Sequence, residues 1–320
     1  MTGIYRLKNI GLPVIKDIDD LAHFTRLSST KLNYLSNSAK YLYKVYSLPK
    51  KSGGVRIIAQ PSRELKAVQA WILRNILDRL TSSQCSKGFE IGSSILDNAK
   101  PHIGSNYILN IDLKDFFPSI PANKVYSIFS SLGYEKTVCI LLTNFCVYNG
   151  CLPQGAPTSP KLANLICSKL DSRIQGYTGP RGLTYTRYAD DITISANTIK
   201  KVINARDFLE TIIHNENLSI NKNKTQITGV RRAKKVTGLI LNQSTVGIGR
   251  EKYREIRAEI FHIYIGKKTD INRINGHLAF VSSVDKKMYN KLINYLSGLN
   301  KKDPNSLLKD LNIFKVATKH

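Results

Sequence analysis

An α+β fold that ends in an all-helical region is what the sequence predicts, and three observations predict it. Short β-branched runs bounded by turn residues, such as "VRIIAQP" (55–61) and "TRYADDITIS" (186–195), alternate with segments of helical period up to about residue 250. From Arg250 onward the strand signal stops, and Tyr253, Ile256, Ile260 and Ile263 recur at helical spacing in Lys-rich sequence. A chain of 320 residues is too long for one small domain and suits two or three subdomains on shared cores.

Taken in order, residues 17–48 read as short helices, with Leu21, Phe24, Leu27, Leu32 and Leu35 as their apolar positions. "PKKSGGVRIIAQP" (49–61) reads as a hairpin turning at Gly53-Gly54 and closed by Pro61. An amphipathic helix follows over 62–80, carrying Leu65, Val68, Trp71, Ile72, Ile76 and Leu80 on or near one face. A Gly-rich polar stretch runs from Ser82 to Gly104, then a buried strand over Tyr107–Leu113 that breaks at Pro118. Residues 121–148 read as largely helical, and the proline-rich loop "LPQGAPTSP" (152–160) feeds a helix over 161–175. Next come a hairpin around Tyr188–Asp191, a helix near 198–213, a strand near 218–220, and the strand pair "VTGLIL" (236–241) and "VGIG" (246–249).

Composition narrows the function classes. Lys and Arg number 48 against 23 Asp and Glu, a formal charge of +25. An excess that large is the electrostatic footprint expected for nucleic acid, because each phosphate contact releases counterions. Anionic membrane is the competing partner, but no apolar run approaches the ~20 residues of a spanning helix, and the start, Met-Thr-Gly-Ile-Tyr-Arg, has no signal-peptide core. The expectation is a cytoplasmic protein without a membrane partner. The five cysteines form no CxxC pair and histidines number six, so the cysteines read as reduced, mostly buried small residues.

Against this positive background, Asp190 and Asp191 stand together where the strand signal is strongest. Adjacent strand residues point to opposite faces, so two neighbouring carboxylates converge only at a tight turn, which Ala189-Asp190 would supply. Turn chemistry alone also favours aspartate. Asp112, however, ends the apolar strand in "NIDLKDFF", where a lone carboxylate would cost several kcal/mol unless compensated. A cation held between Asp112 and Asp190 compensates both. Mg²⁺ is usually bound by one or two carboxylates plus substrate phosphates, and two such ions clamp both oxygens of an in-line phosphoryl displacement.

"YADD" (188–191), Asp112 in "DLKDFF", "LPQGAPTSP" (152–160), "INKNKT" (220–225) and "VTGLIL" (236–241) stand in the order of the polymerase motifs of reverse transcriptases, which this chain resembles. The resemblance covers roughly residues 45–250 plus a helical region after it. It implies a right-hand polymerase: an N-terminal helical extension (1–44), fingers (45–108), a palm with an antiparallel sheet packed on helices (109–249, part of the fingers returning at about 121–150), and an all-helical thumb (250–320).

Carried over residue by residue, the resemblance makes Asp112 and Asp190 ligands of two Mg²⁺ ions, Asp191 a less direct third carboxylate, and the Leu113 carbonyl a further ligand. Phe117 matches the aromatic gate beneath the sugar, which selects dNTPs over ribonucleotides; its bland reading is core packing. Gln154 and Gly155 match the loop lining the nucleotide and template pocket, and Arg56 the fingers arginine on the triphosphate, with Arg63 and Lys66 as helpers or solvated helix charges. Lys224 matches the lysine that protonates departing pyrophosphate, or is one surface lysine among several. Thr237, Gly238 and Leu239 match the primer grip. Arg250, Arg254 and Arg257 form one basic helical stripe, either a solvated face or an RNA-gripping surface.

Two short elements narrow the family. "NAKPH" (98–102) matches the NAxxH element of retron reverse transcriptases and "VTG" (236–238) a second retron marker. Asn98 and His102 are therefore expected to serve the retron-specific RNA or a structural insertion, or else are simple turn residues. A retron enzyme, as a family, primes from the 2′-OH of a guanosine in its own non-coding RNA. It makes a branched RNA–DNA molecule (msDNA) and acts with an effector protein in anti-phage defence. Group II intron enzymes carry more chain, and retroviral enzymes carry an RNase H domain for which 250–320 offers no four-carboxylate cluster. A nucleotidyltransferase making RNA conflicts with an aromatic at 117, and a non-catalytic RNA scaffold conflicts with the intact aspartates.

Overall fold

Three short helices open the chain, α1 (Thr2–Asn9), α2 (Ile18–Thr25) and α3 (Ser29–Asn37), in a computed structural model that describes residues 2–50, 53–267, 270–304 and 306–312. Asp17 and Ser28 cap α2 and α3 by accepting from first-turn N–H groups. Strands β1 (Tyr43–Pro49) and β2 (Val55–Pro61) then pair antiparallel from Tyr43↔Pro61 to Pro49↔Val55. The helical expectation for 17–48 is therefore wrong from Tyr43 on, because the partner strand that recruits this segment lies beyond the window in which apolar spacing is read. Gly53 and Gly54 have φ of 85° and 79°, as a tight turn needs; Lys51 and Ser52 of the expected loop lie outside the described residues.

The order continues α4 (Arg63–Asn75), α5 (Ile95–Ala99), β3 (Tyr107–Asp112), α6 (Ala122–Leu132), α7 (Lys136–Cys146), α8 (Ser159–Ile166) and α9 (Ser168–Thr178). It ends β4 (Thr184–Tyr188), β5 (Asp191–Ala196), α10 (Ile199–Asn215), β6 (Gln226–Thr228), β7 (Lys234–Val236), β8 (Leu239–Leu241), β9 (Val246–Gly247), α11 (Gly249–Tyr264), α12 (Ile271–Val284) and α13 (Lys286–Lys302). Three expectations need correction. The helix over 161–175 is two helices, parted at Cys167. The strand near 218–220 is a single bridge, Leu113↔Ile220. "VTGLIL" is not one strand: Thr237 (φ 46°) and Gly238 (φ 81°) turn the chain between β7 and β8, which pair Val236↔Leu239. Two positive φ angles match the twist of a two-residue hairpin, and the period-2 reading of 236–241 could not see that turn.

The chain packs as two units. One comprises the residues up to Ser94 together with Leu109–Ile227; the other comprises Ile95–Ile108 and the residues from Thr228 onward. This division puts the "NAKPH" segment with the C-terminal helices, whereas the sequence grouping placed it in 45–108.

In the first unit a four-stranded sheet runs in the order β4-β5-β3-β6. Helix α9 packs on β4 and α10 on β5, with Leu170, Ile174, Val202 and Leu209 buried. Strand β5 is buried on both faces, since Thr193 and Ser195 are as hidden as Ile192 and Ile194. In the second unit, β7-β8-β9 form a small sheet, and Ile256, Ile260 and Ile263 of α11 join Ile274, Leu278 and Leu292 in a separate core. The expected thumb seam is thus a packed one. Residues 268–269, 305 and 313–320 of that expected helical region lie outside the described residues.

Candidate active site

Asp190 and Asp191 reach one place because β4 and β5 are joined by the shortest turn. Tyr188 pairs with Asp191, leaving Ala189 and Asp190 as the loop, and Ala189 adopts φ 57°. That conformation is unfavourable for a residue with a Cβ. It is held from beneath. The Leu113 N–H donates to the Asp190 carbonyl at 2.9 Å, which fastens the turn to the end of β3 beside Asp112. Arg187 Nη1 donates to the Ala189 carbonyl at 3.0 Å. Arg187 is fully buried and forms a two-pronged pair with the equally buried Asp171, through Nε at 2.8 Å and Nη2 at 2.7 Å. The Tyr185 hydroxyl donates to the same carboxylate at 2.6 Å. Such a pair is costly to desolvate but fixes one geometry when every oxygen is bonded.

Three acids therefore share one site. Burial, then the Asp112 charge, raises Asp190 above the ordinary carboxylate range, while a hydrogen bond from its own backbone, and after it Lys224 and Arg56, pull it back. Burial, then repulsion from Asp190 and Asp112, pushes Asp191 up to about 6. Asp191 itself is exposed to solvent on one side. Asp112 is gripped on both oxygens: Asn221 Nδ2 donates to Oδ1 at 3.0 Å, and Lys224 Nζ stands 2.9 Å from Oδ2. The hydrogen bond to Asp112 raises the Lys224 amine above its ordinary value. Among the described residues no three acidic, His or Cys side chains stand close enough to hold an ion unaided. The donor set is nonetheless the hard, oxygen-only kind that suits a small divalent cation, which ordinarily completes its shell with phosphate oxygens and water.

The other expected site residues fall as follows. Phe116 takes the buried position and Phe117 stays half open, their ring centroids 5.5 Å apart. The Gln154 carbonyl accepts from the Ala59 N–H at 2.9 Å, so the "LPQGAPTSP" loop is stitched to β2, the strand that carries Arg56. Gly155 (φ 133°) sits where a Cβ would come within 2.8 Å of the Ala59 carbonyl oxygen, so only glycine fits. Arg63 and Lys66 lie exposed on the first turn of α4, neither in an ion pair among the described residues.

In the second unit the two short retron markers meet. Asn98 and His102 are both fully buried, and Asn98 Nδ2 lies 3.4 Å from Thr237 Oγ1, whose hydroxyl is 3.4 Å from the Ile95 carbonyl. Burial holds His102 near 4, so it is neutral at physiological pH. Neither marker side chain reaches solvent as it stands. Gly238 and Leu239 continue from the Thr237 turn, and a cleft of about 1260 Å³ opens beside them, lined by Lys235, Gly238, Arg250, Lys252, Lys287 and Lys291 among others. That lining includes none of the three aspartates. Arg250, Arg254 and Arg257 are all exposed, and Arg257 in addition lies over the Tyr295 ring at 4.4 Å and so also serves packing.

Sequence reasoning missed several residues of the site. Asn221 was legible as part of "INKNKT" but carries no charge to flag it. Arg187 and Asp171 read as ordinary charges, since nothing local marks a buried pair. Phe89, whose ring lies 6.3 Å from those of both Phe117 and Tyr188, sat in a stretch read only as polar loop.

A strand end and a β-turn presenting clustered acids, backed by a lysine and faced by an aromatic, define a right-hand nucleotide polymerase. The family model described as reverse transcriptase (RNA-dependent DNA polymerase) matches residues 48–244. The retron Ec86 reverse transcriptase of Escherichia coli is 57% identical over 300 residues, covering 93% of this chain and 94% of that one. The retron Mx65 reverse transcriptase of Myxococcus xanthus is 33% identical over 312 residues, covering 90% and 73%. A telomerase from Candida albicans overlays at TM-score 0.48 and 13% identity, covering 85% of this chain and 64% of that one, a likeness too slight to argue from. The chain belongs to the retron reverse transcriptases, and it is an RNA-directed DNA polymerase. No helix among the described residues is long and apolar enough to cross a membrane.

Proposed function

We propose that this enzyme copies its cognate retron non-coding RNA into DNA, starting from a guanosine 2′-OH and yielding branched msDNA, in the cytoplasm and together with an effector protein in anti-phage defence. The observation that carries the reading is the convergence of Asp112, Asp190 and Asp191 beside Lys224, in a chain 57% identical to a retron reverse transcriptase. Two Mg²⁺ ions would be held by Asp112 and Asp190, with the Leu113 carbonyl and Asp191 in support; bound, they would supply the charge that stabilises in-line phosphoryl displacement.

The chain's own residues do the rest. Lys224 stands 2.9 Å from Asp112, and its raised amine is fully protonated at physiological pH, so it would be the cation beside the acids and the group that hands a proton to departing pyrophosphate. Asn221 holds the Asp112 carboxylate in one orientation. Arg56 extends from β2 and is close enough to favour the charged form of Asp190; it would meet the triphosphate, with Arg63 and Lys66 behind it on α4. Gln154 and Gly155 shape the nucleotide pocket against β2, and the half-open Phe117 ring would lie beneath the sugar and select dNTPs. Thr237, Gly238 and Leu239 would grip the primer, and Arg250, Arg254 and Arg257 the RNA. The buried Asn98 and His102 would fix the Thr237 turn.

Nucleic acid recovered with the purified protein tests this directly. A species whose DNA is released from RNA by a debranching nuclease is expected from the wild type and not from Asp190→Asn. Unbranched DNA extended from ordinary 3′ ends would instead favour a group II intron-like activity. RNA alone, from both proteins, would favour a non-catalytic scaffold.

A further inference from the structure

The loop between α4 and α5 crosses under the catalytic hairpin and is pinned to it on both sides of one residue. Lys87 N–H donates to the Arg187 carbonyl at 2.7 Å, and Arg187 N–H donates to the Cys85 carbonyl at 2.8 Å. Gly88 lies so close to the turn that a Cβ there would stand 2.7 Å from the Ala189 nitrogen. Buried Asn164 donates to the Gly88 carbonyl at 2.7 Å and to Glu90 Oε1 at 2.8 Å, and the buried Lys161 grips Glu90 Oε2 at 2.6 Å. Between these anchors Phe89 adopts φ 61°, a conformation costly for any residue with a Cβ and rare for a bulky one. Burial does not offset that cost, because Phe89 is 46% exposed. Its ring lies 6.3 Å from Phe117 and 6.3 Å from Tyr188, on the open side of the site. A strained backbone that presents an exposed ring at a reaction centre points to a bound molecule that the ring meets.

We propose that Phe89 is a nucleic-acid contact whose ring packs against the sugar of the primer's terminal nucleotide. This rests on reading the site as a polymerase centre with Phe117 beneath the incoming sugar. Phe117 would then face the 2′ side of that sugar, while Tyr188 leads into the turn whose acids act at the primer's terminal oxygen. Phe89 neighbours both rings, so it continues the same wall by one nucleotide. An aromatic face suits this place because it grips any sequence as the product grows, while the basic surface holds the phosphates.

The test uses full-length protein freed of nucleic acid, in three forms: wild type, Phe89→Gly and Phe89→Tyr. Glycine accepts φ 61° without strain, so Phe89→Gly should melt at the wild-type temperature or above it. Its Kd for a DNA-primed RNA template should rise by about tenfold, the scale of one lost aromatic contact. Phe89→Tyr keeps the ring and should restore the affinity, and the dNTP-to-rNTP preference should not move in either variant. An unchanged Kd in Phe89→Gly overturns the proposal, as does a Kd that weakens only together with a fall in melting temperature, or a Phe89→Tyr that fails like Phe89→Gly. The underlying reading fails separately: Phe117→Ala with an unaltered nucleotide preference removes the gate, whatever Phe89 does to Kd.

Discussion

Replacing Asp191 by asparagine should stabilise the metal-free protein while ending synthesis. The acid is displaced upward, from an ordinary 3.8 to about 6, by burial and by two neighbouring carboxylates. An acid that holds its proton more tightly in the folded state lowers stability as pH rises through the interval between the two values, here from about 4 to about 6, and the loss persists above it. A shift of roughly two units corresponds to about 3 kcal/mol in a sealed site, at about 1.4 kcal/mol per unit. Asp191 is open to solvent, so screening reduces this to about 1 kcal/mol. For a chain of this size that is about 2 °C in Tm. Thermal melts of wild type and Asp191→Asn, in chelator, at several pH values from 4 to 8, measure it. The variant should melt about 2 °C higher at pH 8, with the gap closing toward pH 4. Millimolar Mg²⁺ should then raise the wild type more than the variant, because binding to the folded state alone adds stability. A variant that melts lower at pH 8 in chelator, or a gap that ignores pH, would refute the clustered-acid account.

Phe117→Ala should raise rNTP incorporation relative to dNTP, since the half-open ring is free to meet a 2′-OH; an unchanged ratio of efficiencies would return Phe117 to the core. Gly88→Ala should lower kcat by about tenfold or more with little change in dNTP KM, because the methyl would press on Ala189 nitrogen at 2.7 Å and shift the acids; wild-type kcat would show that the turn tolerates the push. Arg254→Ala with Arg257→Ala should weaken RNA binding and flatten the slope of log K against log [salt] by about one to two. Because Arg257 also covers Tyr295, that single change should lower Tm, whereas Arg254→Ala should not. Coincident salt slopes for wild type and double variant would make the stripe solvated charge only.

The sequence by itself determined the chemistry. Paired acids at a turn between β-prone runs and an acid at the end of an apolar strand are local facts of residue type and spacing, whereas Gly155 and Lys224 were reached through the resemblance to reverse transcriptases. It also determined the alternation of strands and helices and the apolar seam of α11, because periodicity is local. Only the tertiary structure decided what each residue meets. Tyr43–Pro49 is strand because β2 pairs with it, and Thr237-Gly238 turns because β7 and β8 pair across it. Arg187 and Asp171 look like surface charges until burial pairs them beneath the turn. Phe89 lay in a stretch that composition marks as loop, yet two anchored neighbours hold its ring 6.3 Å from those of Phe117 and Tyr188. Long-range pairing and burial depend on the whole chain closing on itself, and no window of neighbouring residues contains that information.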